Sequence, residues 1–142
     1  MYRHTQTGWW MIVIFGIASM VLLIEGVIHP EVYGFFIVSI AFIVSLLLFS
    51  RLTVEADDQK LRFKFGVGLI RKQFEYSRIR SISTVKNKWY WGWGVRWFGR
   101  GWLYNVAGLD AVEISLKNGR IVRIGTNDPA ILQRFVDARL KS

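Results

Sequence analysis

Histidine, cysteine and clustered carboxylates do most of the proton, metal and nucleophile chemistry of enzymes, and this chain of 142 residues is poor in all three. Its two histidines, His4 and His29, stand at opposite ends of a long apolar stretch, so no His–carboxylate–nucleophile set can be assembled. With no cysteine there is no disulfide, thiolate metal site or thiol nucleophile, in agreement with a reducing compartment. Asp57-Asp58 is the one adjacent acidic pair, and without histidines or further acids it makes a poor metal site. The expectation is a non-catalytic protein with no cofactor and no metal.

Two other features could do chemistry of a different kind. Between Lys86 and Gly101, Trp89, Tyr90, Trp91, Trp93, Trp97 and Phe98 interleave with Lys86, Lys88, Arg96 and Arg100 and with three glycines. Rings mixed with cations suit a membrane headgroup layer or a partner surface. They also suit single-stranded nucleic acid, the weakest of the readings, or the rings pack the core of a small barrel. The glycine spacing matches neither a dinucleotide fingerprint nor a phosphate loop. The second feature is Glu25, the one ionisable residue inside an apolar run. It is either a relay or partner contact within a membrane or a carboxylate reaching the outer interface, with His29 four residues on along the same helical face.

Glu25 lies in one of two apolar runs, at about 9–28 and 32–49, separated by His29-Pro30-Glu31. Each run is roughly 18 to 20 residues, enough at about 1.5 Å per residue to cross a hydrocarbon core about 30 Å thick. In lipid only a helix satisfies its backbone within such a run, and Pro30 breaks it. The expectation is a two-helix transmembrane hairpin. Arg3 precedes the first span, Arg51 follows the second and the turn has no Lys or Arg, which places both termini in the cytoplasm. A cleaved signal peptide is the competing reading, but no clean A-x-A site follows the first run. Gly16, Ser19, Ser39, Ala41 and Ser45 could let the helices approach closely.

After the hairpin, residues 51–142 form one small domain, with residues 1–50 as tail and anchor. The domain holds 18 Lys+Arg and 8 Asp+Glu, a net +10 that an anionic leaflet attracts. Seven short β-type runs are expected within it: 52–56, 61–65, 70–76, 79–85, 101–106, 112–116 and 121–125. Asn118-Gly119 signals a hairpin, but a two-residue turn would set Val122 and Ile124 opposite Ser115 and Glu113. A longer turn with a bulge restores the apolar face and is therefore expected. Pro129 suits the first position of a closing amphipathic helix, with Ile131, Leu132, Phe135, Val136 and Leu140 on one side.

Seven strands and a closing helix is the order of a pleckstrin-homology (PH) barrel. The residues resemble the bacterial PH-like domain family, above all its membrane-anchored members. The matching positions are Phe65-Gly66, Arg71-Lys72, Gly92-Trp93-Gly94-Val95-Arg96, the run from Gly101 to Val106 with Gly108, Val112-Glu113, Asn118-Gly119-Arg120, Ile124-Gly125-Thr126 and Asp128-Pro129. The resemblance implies a mostly-β, seven-stranded and strongly bent sheet capped by the C-terminal helix, a binding or scaffolding role without catalysis, and self-association. Arg62-Phe63-Lys64 looks like half of the phosphoinositide motif of eukaryotic PH domains, but Asp57 and Asp58 occupy the loop where a phosphate would sit.

The combined expectation is a membrane-anchored interaction module at the inner face of a bacterial cytoplasmic membrane, binding a partner protein or further copies of itself. Its contact candidates are Lys86, Lys88, Trp89, Trp91, Trp93, Arg96, Trp97 and Arg100. The alternatives are recognition of anionic lipid headgroups by the same segment, or an accessory subunit of a larger membrane complex that uses the hairpin and Glu25.

Overall fold

In the computed structural model, which describes residues 1–141, the N-terminal residues are a strand and not a tail. β1 (Tyr2–Thr7) pairs antiparallel with β2 (Arg51–Ala56), from Tyr2 opposite Ala56 to Thr7 opposite Arg51. Tyr2, His4 and Gln6 are more buried than Arg3 and Thr5. That is period-2 alternation built from polar residues, which a search for apolar alternation passes over. The first sheet thus draws on both sides of the boundary expected at residue 50; Ser142, the expected end of the domain, lies outside the described residues.

Between these paired strands the chain makes its apolar excursion. α1 (Trp9–Ile28) and α2 (Gly34–Phe49) leave and return at one point, where the Gly8 N–H donates to the Ser50 carbonyl at 2.8 Å. α1 is long and apolar enough to cross a membrane, and Met11, Ser19 and Gly26 are its only buried residues. The second apolar run is helical over less of its length than expected: Val32 and Tyr33 belong to the turn, where the Val32 N–H bonds to the His29 carbonyl. The 16 residues of α2 rise about 24 Å, short of a hydrocarbon core. Where the helices touch, the Ser19 and Ser39 hydroxyls bond at 2.7 Å. Gly26 admits Phe36 so closely that a Cβ there would lie 2.9 Å from the ring. Gly16 has no such neighbour, and Ser45 bonds back to Ala41 of its own helix.

After β2 come β3 (Lys60–Phe65), β4 (Arg71–Glu75), β5 (Ile79–Lys86), β6 (Gly94–Trp97), β7 (Gly101–Asn105), β8 (Asp110–Leu116), β9 (Ile121–Gly125) and α3 (Pro129–Leu140). They form two sheets, ordered β1-β2-β3-β4 and β5-β8-β9-β7-β6, with β7 and β9 parallel and every other pair antiparallel. The single bent sheet of seven strands is therefore corrected to nine strands in two sheets. All seven expected strands are present; β1 and β6 are added. Helices with two sheets and a C-terminal helix are compatible with a β-sandwich or PH-like fold.

The core lies between the sheets. Leu52, Val54, Leu61, Phe63 and Phe65 face Ile82, Tyr104, Val112, Ile114 and Ile124, and the Phe63 and Tyr104 rings are 4.6 Å apart. Each such side chain, fully buried, stabilises the fold by roughly 1.5–3 kcal/mol. The expected bulge is present: Ser115 opposes Ile121 and Ile114 opposes Val122, one place off a two-residue turn, with Gly119 at φ +85°. Across the sandwich α3 closes the seam between β1 and β5. Leu132 and Val136 enter the core, the Gln133 amide oxygen accepts from the exposed-edge Thr84 N–H at 2.9 Å, and Arg139 reaches Asp58 at 2.7 Å.

Candidate functional site

The aromatic segment is part of the surface, and it divides four ways. None of Trp89, Trp91, Trp93 or Trp97 enters the buried core, which is the physical answer to the core-packing alternative. Gly92 and Gly94, at φ +67° and +96°, turn the chain in a way that β-branched or bulky residues resist. The segment consequently folds along the outside of the second sheet.

On the outer face of that sheet Trp91 and Phe98 close over Arg123. Their ring centroids are 5.3 Å apart, and the guanidinium lies 5.1 Å from the first and 4.6 Å from the second. Arg123 donates to Glu113 on the neighbouring strand at 2.7 Å, and Asn87 lies on its far side at 3.4 Å. Register makes this possible: β9 places Arg123 between Glu113 of β8 and Leu103 of β7. A buried ion pair with its remaining donors met by rings fixes the path of a segment that has little regular structure of its own.

Trp93 goes elsewhere, against Trp10 in the first turn of α1, with centroids 4.3 Å apart. The Trp10 indole N–H donates to the Val106 carbonyl at 3.0 Å, and Gln6 donates to Ala107 at 2.9 Å. Buried Asn105 shapes the loop that receives both, by bonding Gly108 and Ala107. A Cβ at Gly125 would collide with the Asn105 side chain at 2.0 Å. Asn105 and Gly125 therefore act on the hairpin base through this loop.

Trp97 pairs across strands with Trp102, which is not among the expected contact residues, at 5.7 Å edge to face. They stand at the seam between β4 and the β6–β7 edge, opposite the one that α3 covers. A cavity of about 390 Å³ opens there, lined on one side by Lys72 and Phe74 and on the other by the two tryptophans, Arg100 and Arg120. Trp97 remains 59% exposed. Lys72 turns inward opposite Phe63, its ammonium 5.2 Å from the Tyr104 ring centroid, which is why alternation in β4 is weak. Trp102 and Lys72 join this site only once β6 is recognised as a strand, and no apolar run marks it.

The remaining candidates are peripheral. Trp89, 78% exposed, and Tyr90 project from the loop before β6, with Lys88 over the Tyr90 ring at 5.6 Å and Lys86 exposed at the end of β5. Arg96 donates back to the Trp93 carbonyl at 3.2 Å, and Arg100 lies 3.9 Å from Glu113. Glu25 sits near the turn of the helical pair, 3.9 Å from His29, which in turn lies 3.5 Å from Glu31. In the β2–β3 loop both carboxylates have partners of their own. Asp57 accepts from the Gln59 and Lys60 N–H groups and pairs with Arg62, which together hold its carboxyl below the usual range, while Asp58 holds Arg139. Among the described residues no three His, Asp or Glu side chains gather as a metal site would require. No protein-family model matches the chain, and a search of curated proteins finds no match.

Proposed function

We propose that this chain is a PH-like interaction module anchored at the inner face of a bacterial cytoplasmic membrane, its helical pair crossing the bilayer with both termini in the cytoplasm. The partner, a protein or a second copy of the chain, docks on the open seam between β4 and β6. The observation that carries this reading is the asymmetry of the two seams: α3 seals one, and the other exposes Trp97 and Trp102 beside Arg100 and Arg120. Tryptophan and arginine are the residues that dominate interface energetics, most of all around a desolvated pocket. The exposed apolar surface of α1 supports the anchor, since in water it would be an aggregation liability. A flank of Arg3 and Arg51 supports the orientation, and the 16-residue α2 crosses by local thinning of the bilayer at its end.

Recognition of anionic lipid is the second reading, supported by exposed Trp89 and Tyr90 beside Lys86 and Lys88. The two differ in salt response, because exposed charge attraction is screened and an apolar interface core is not. To test the first, a photo-crosslinking residue at Trp97 in the full chain should give one adduct of fixed mass in cells. Changing Trp102 to Ser should remove that adduct while leaving the protein folded. A smear of adducts, or none, contradicts docking at the seam.

A further inference from the structure

The outer face of the first sheet is graded in charge along the direction of the helical pair. Antiparallel register sorts its side chains into rows across the strands. The row farthest from the helices holds Arg3, Glu55, Arg62 and Gln73, and here each cation has an acid: Arg3 meets Glu55 at 3.3 Å and Arg62 meets Asp57 at 3.1 Å. The middle row is Thr5, Thr53, Lys64 and Arg71, and the nearest contains Arg51. Among the described residues Lys64, Arg71 and Arg51 make no ion pair. Lys64 and Arg71 stand directly opposite each other, a like-charge cross-strand pair that costs stability unless something negative lies between them. Both line a cavity of about 550 Å³ on this face.

The turn joining β3 to β4 explains what that something is. Its Gly66 N–H bonds the Arg51 carbonyl at 2.8 Å and its Val67 N–H bonds the Leu47 carbonyl at 3.2 Å, so the turn is clasped to the last turn of α2. Gly66 is required there, since a Cβ would lie 1.9 Å from the Leu47 oxygen. At the tip Val67 and Leu69 are 66% and 77% exposed, with nothing among the described residues to cover them. An apolar tip beside the end of an apolar helix, backed by unpaired cations one row behind, matches the depth profile of a membrane interface: acyl chains first, phosphates next.

We propose that the β3–β4 turn inserts into the inner leaflet beside α2, and that Lys64 and Arg71, with Arg51 adjacent, hold the phosphate of an anionic phospholipid between them. The site is at the opposite end of the strands from the Asp57-Asp58 loop and is separate from the aromatic segment. It rests on the membrane reading of the helical pair, and the experiment separates the two.

The full chain is placed in nanodiscs of phosphatidylcholine, alone or mixed with phosphatidylglycerol, and melting is followed by tryptophan fluorescence. Wild type should melt on the order of 5 °C higher with the anionic lipid. K64T/R71T should lose most of that gain, K64Q and R71Q each a part of it, and K86T/K88T none. In phosphatidylcholine alone K64T/R71T should melt no lower than wild type, because a repulsive pair has been replaced by strand-favouring residues. An unchanged gain in K64T/R71T, or loss of the gain in K86T/K88T instead, overturns the site. An equal gain from inorganic phosphate in phosphatidylcholine discs overturns the lipid as its ligand. Failure of the membrane reading is seen apart from these, as release of the chain from vesicles by alkaline carbonate.

Discussion

The backbone N–H of Gly8 donates to the carbonyl of Ser50 at 2.8 Å, although two helices separate them in the chain. The helical pair is therefore an insertion into a β-hairpin, held by paired strands on both sides. A swinging tether would need a flexible linker, and neither junction has one: β1 ends at Thr7 and α1 starts at Trp9, α2 ends at Phe49 and β2 starts at Arg51.

This arrangement predicts how the helical pair can be removed. Joining Gly8 to Ser50 through a short glycine turn, with both helices deleted, should yield a folded soluble domain. Starting the chain at Arg51 should yield a much less stable one, since it strips β2 of its partner and removes Tyr2 and Gln6 from their contacts. Urea melts of the two proteins check this; equal midpoints would contradict it.

Arg123 should be the most sensitive cation in the chain. Arg123→Ala leaves Glu113 with only the distant, exposed Arg100, and should cost about 3 kcal/mol or more. Trp91→Ser removes one wall of the clamp and should cost about 1 kcal/mol, whereas Trp89→Ser should stay within about 0.5 kcal/mol of wild type. Chemical denaturation of these three variants ranks the parts of the aromatic segment as clamp and free surface.

Tyr76 sets a limit at high pH. Burial pushes its phenol up to about 12, and its hydroxyl donates to the Asp57 carbonyl at 2.7 Å. The unfolded chain loses this proton near pH 10, so it binds fewer protons than the folded chain between about 10 and 12 and stability falls across that window. Tyr76→Phe should cost about 1 kcal/mol at neutral pH. The variant should also show a flatter decline above pH 10, as read from melts in buffers across the window.

Much of this architecture is legible in the chain because its signals are local. Leu61, Phe63 and Phe65 announce a strand, and the mismatch at Asn118-Gly119 announces its own bulge. β1 was hidden because its inward residues are Tyr2, His4 and Gln6, whose side-chain partners are Phe135, Asn127 and Ala107, far along the chain. β6 was hidden because the glycines and tryptophans in and around it read as a surface loop until Val95 is set beside Tyr104. The site was legible as composition and not as geometry. Nothing local says that Trp91 covers Arg123, Trp93 meets Trp10 and Trp97 meets Trp102, since strand register fixes the first and last and the packing of α1 against the sheet fixes the other. The order in the second sheet, with β9 between β8 and β7, is likewise a property of long-range pairing.

The central claim is that the helical pair crosses the membrane and holds the domain against its inner face. Reporter fusions test it most directly, one inserted at Pro30 and one following Lys141, each scored for activity outside and inside the membrane. The account predicts the Pro30 reporter outside and the C-terminal reporter inside. Both reporters inside would mean that α1 and α2 do not cross, and would contradict the anchor, the lipid site beside it and the height at which the open seam is held.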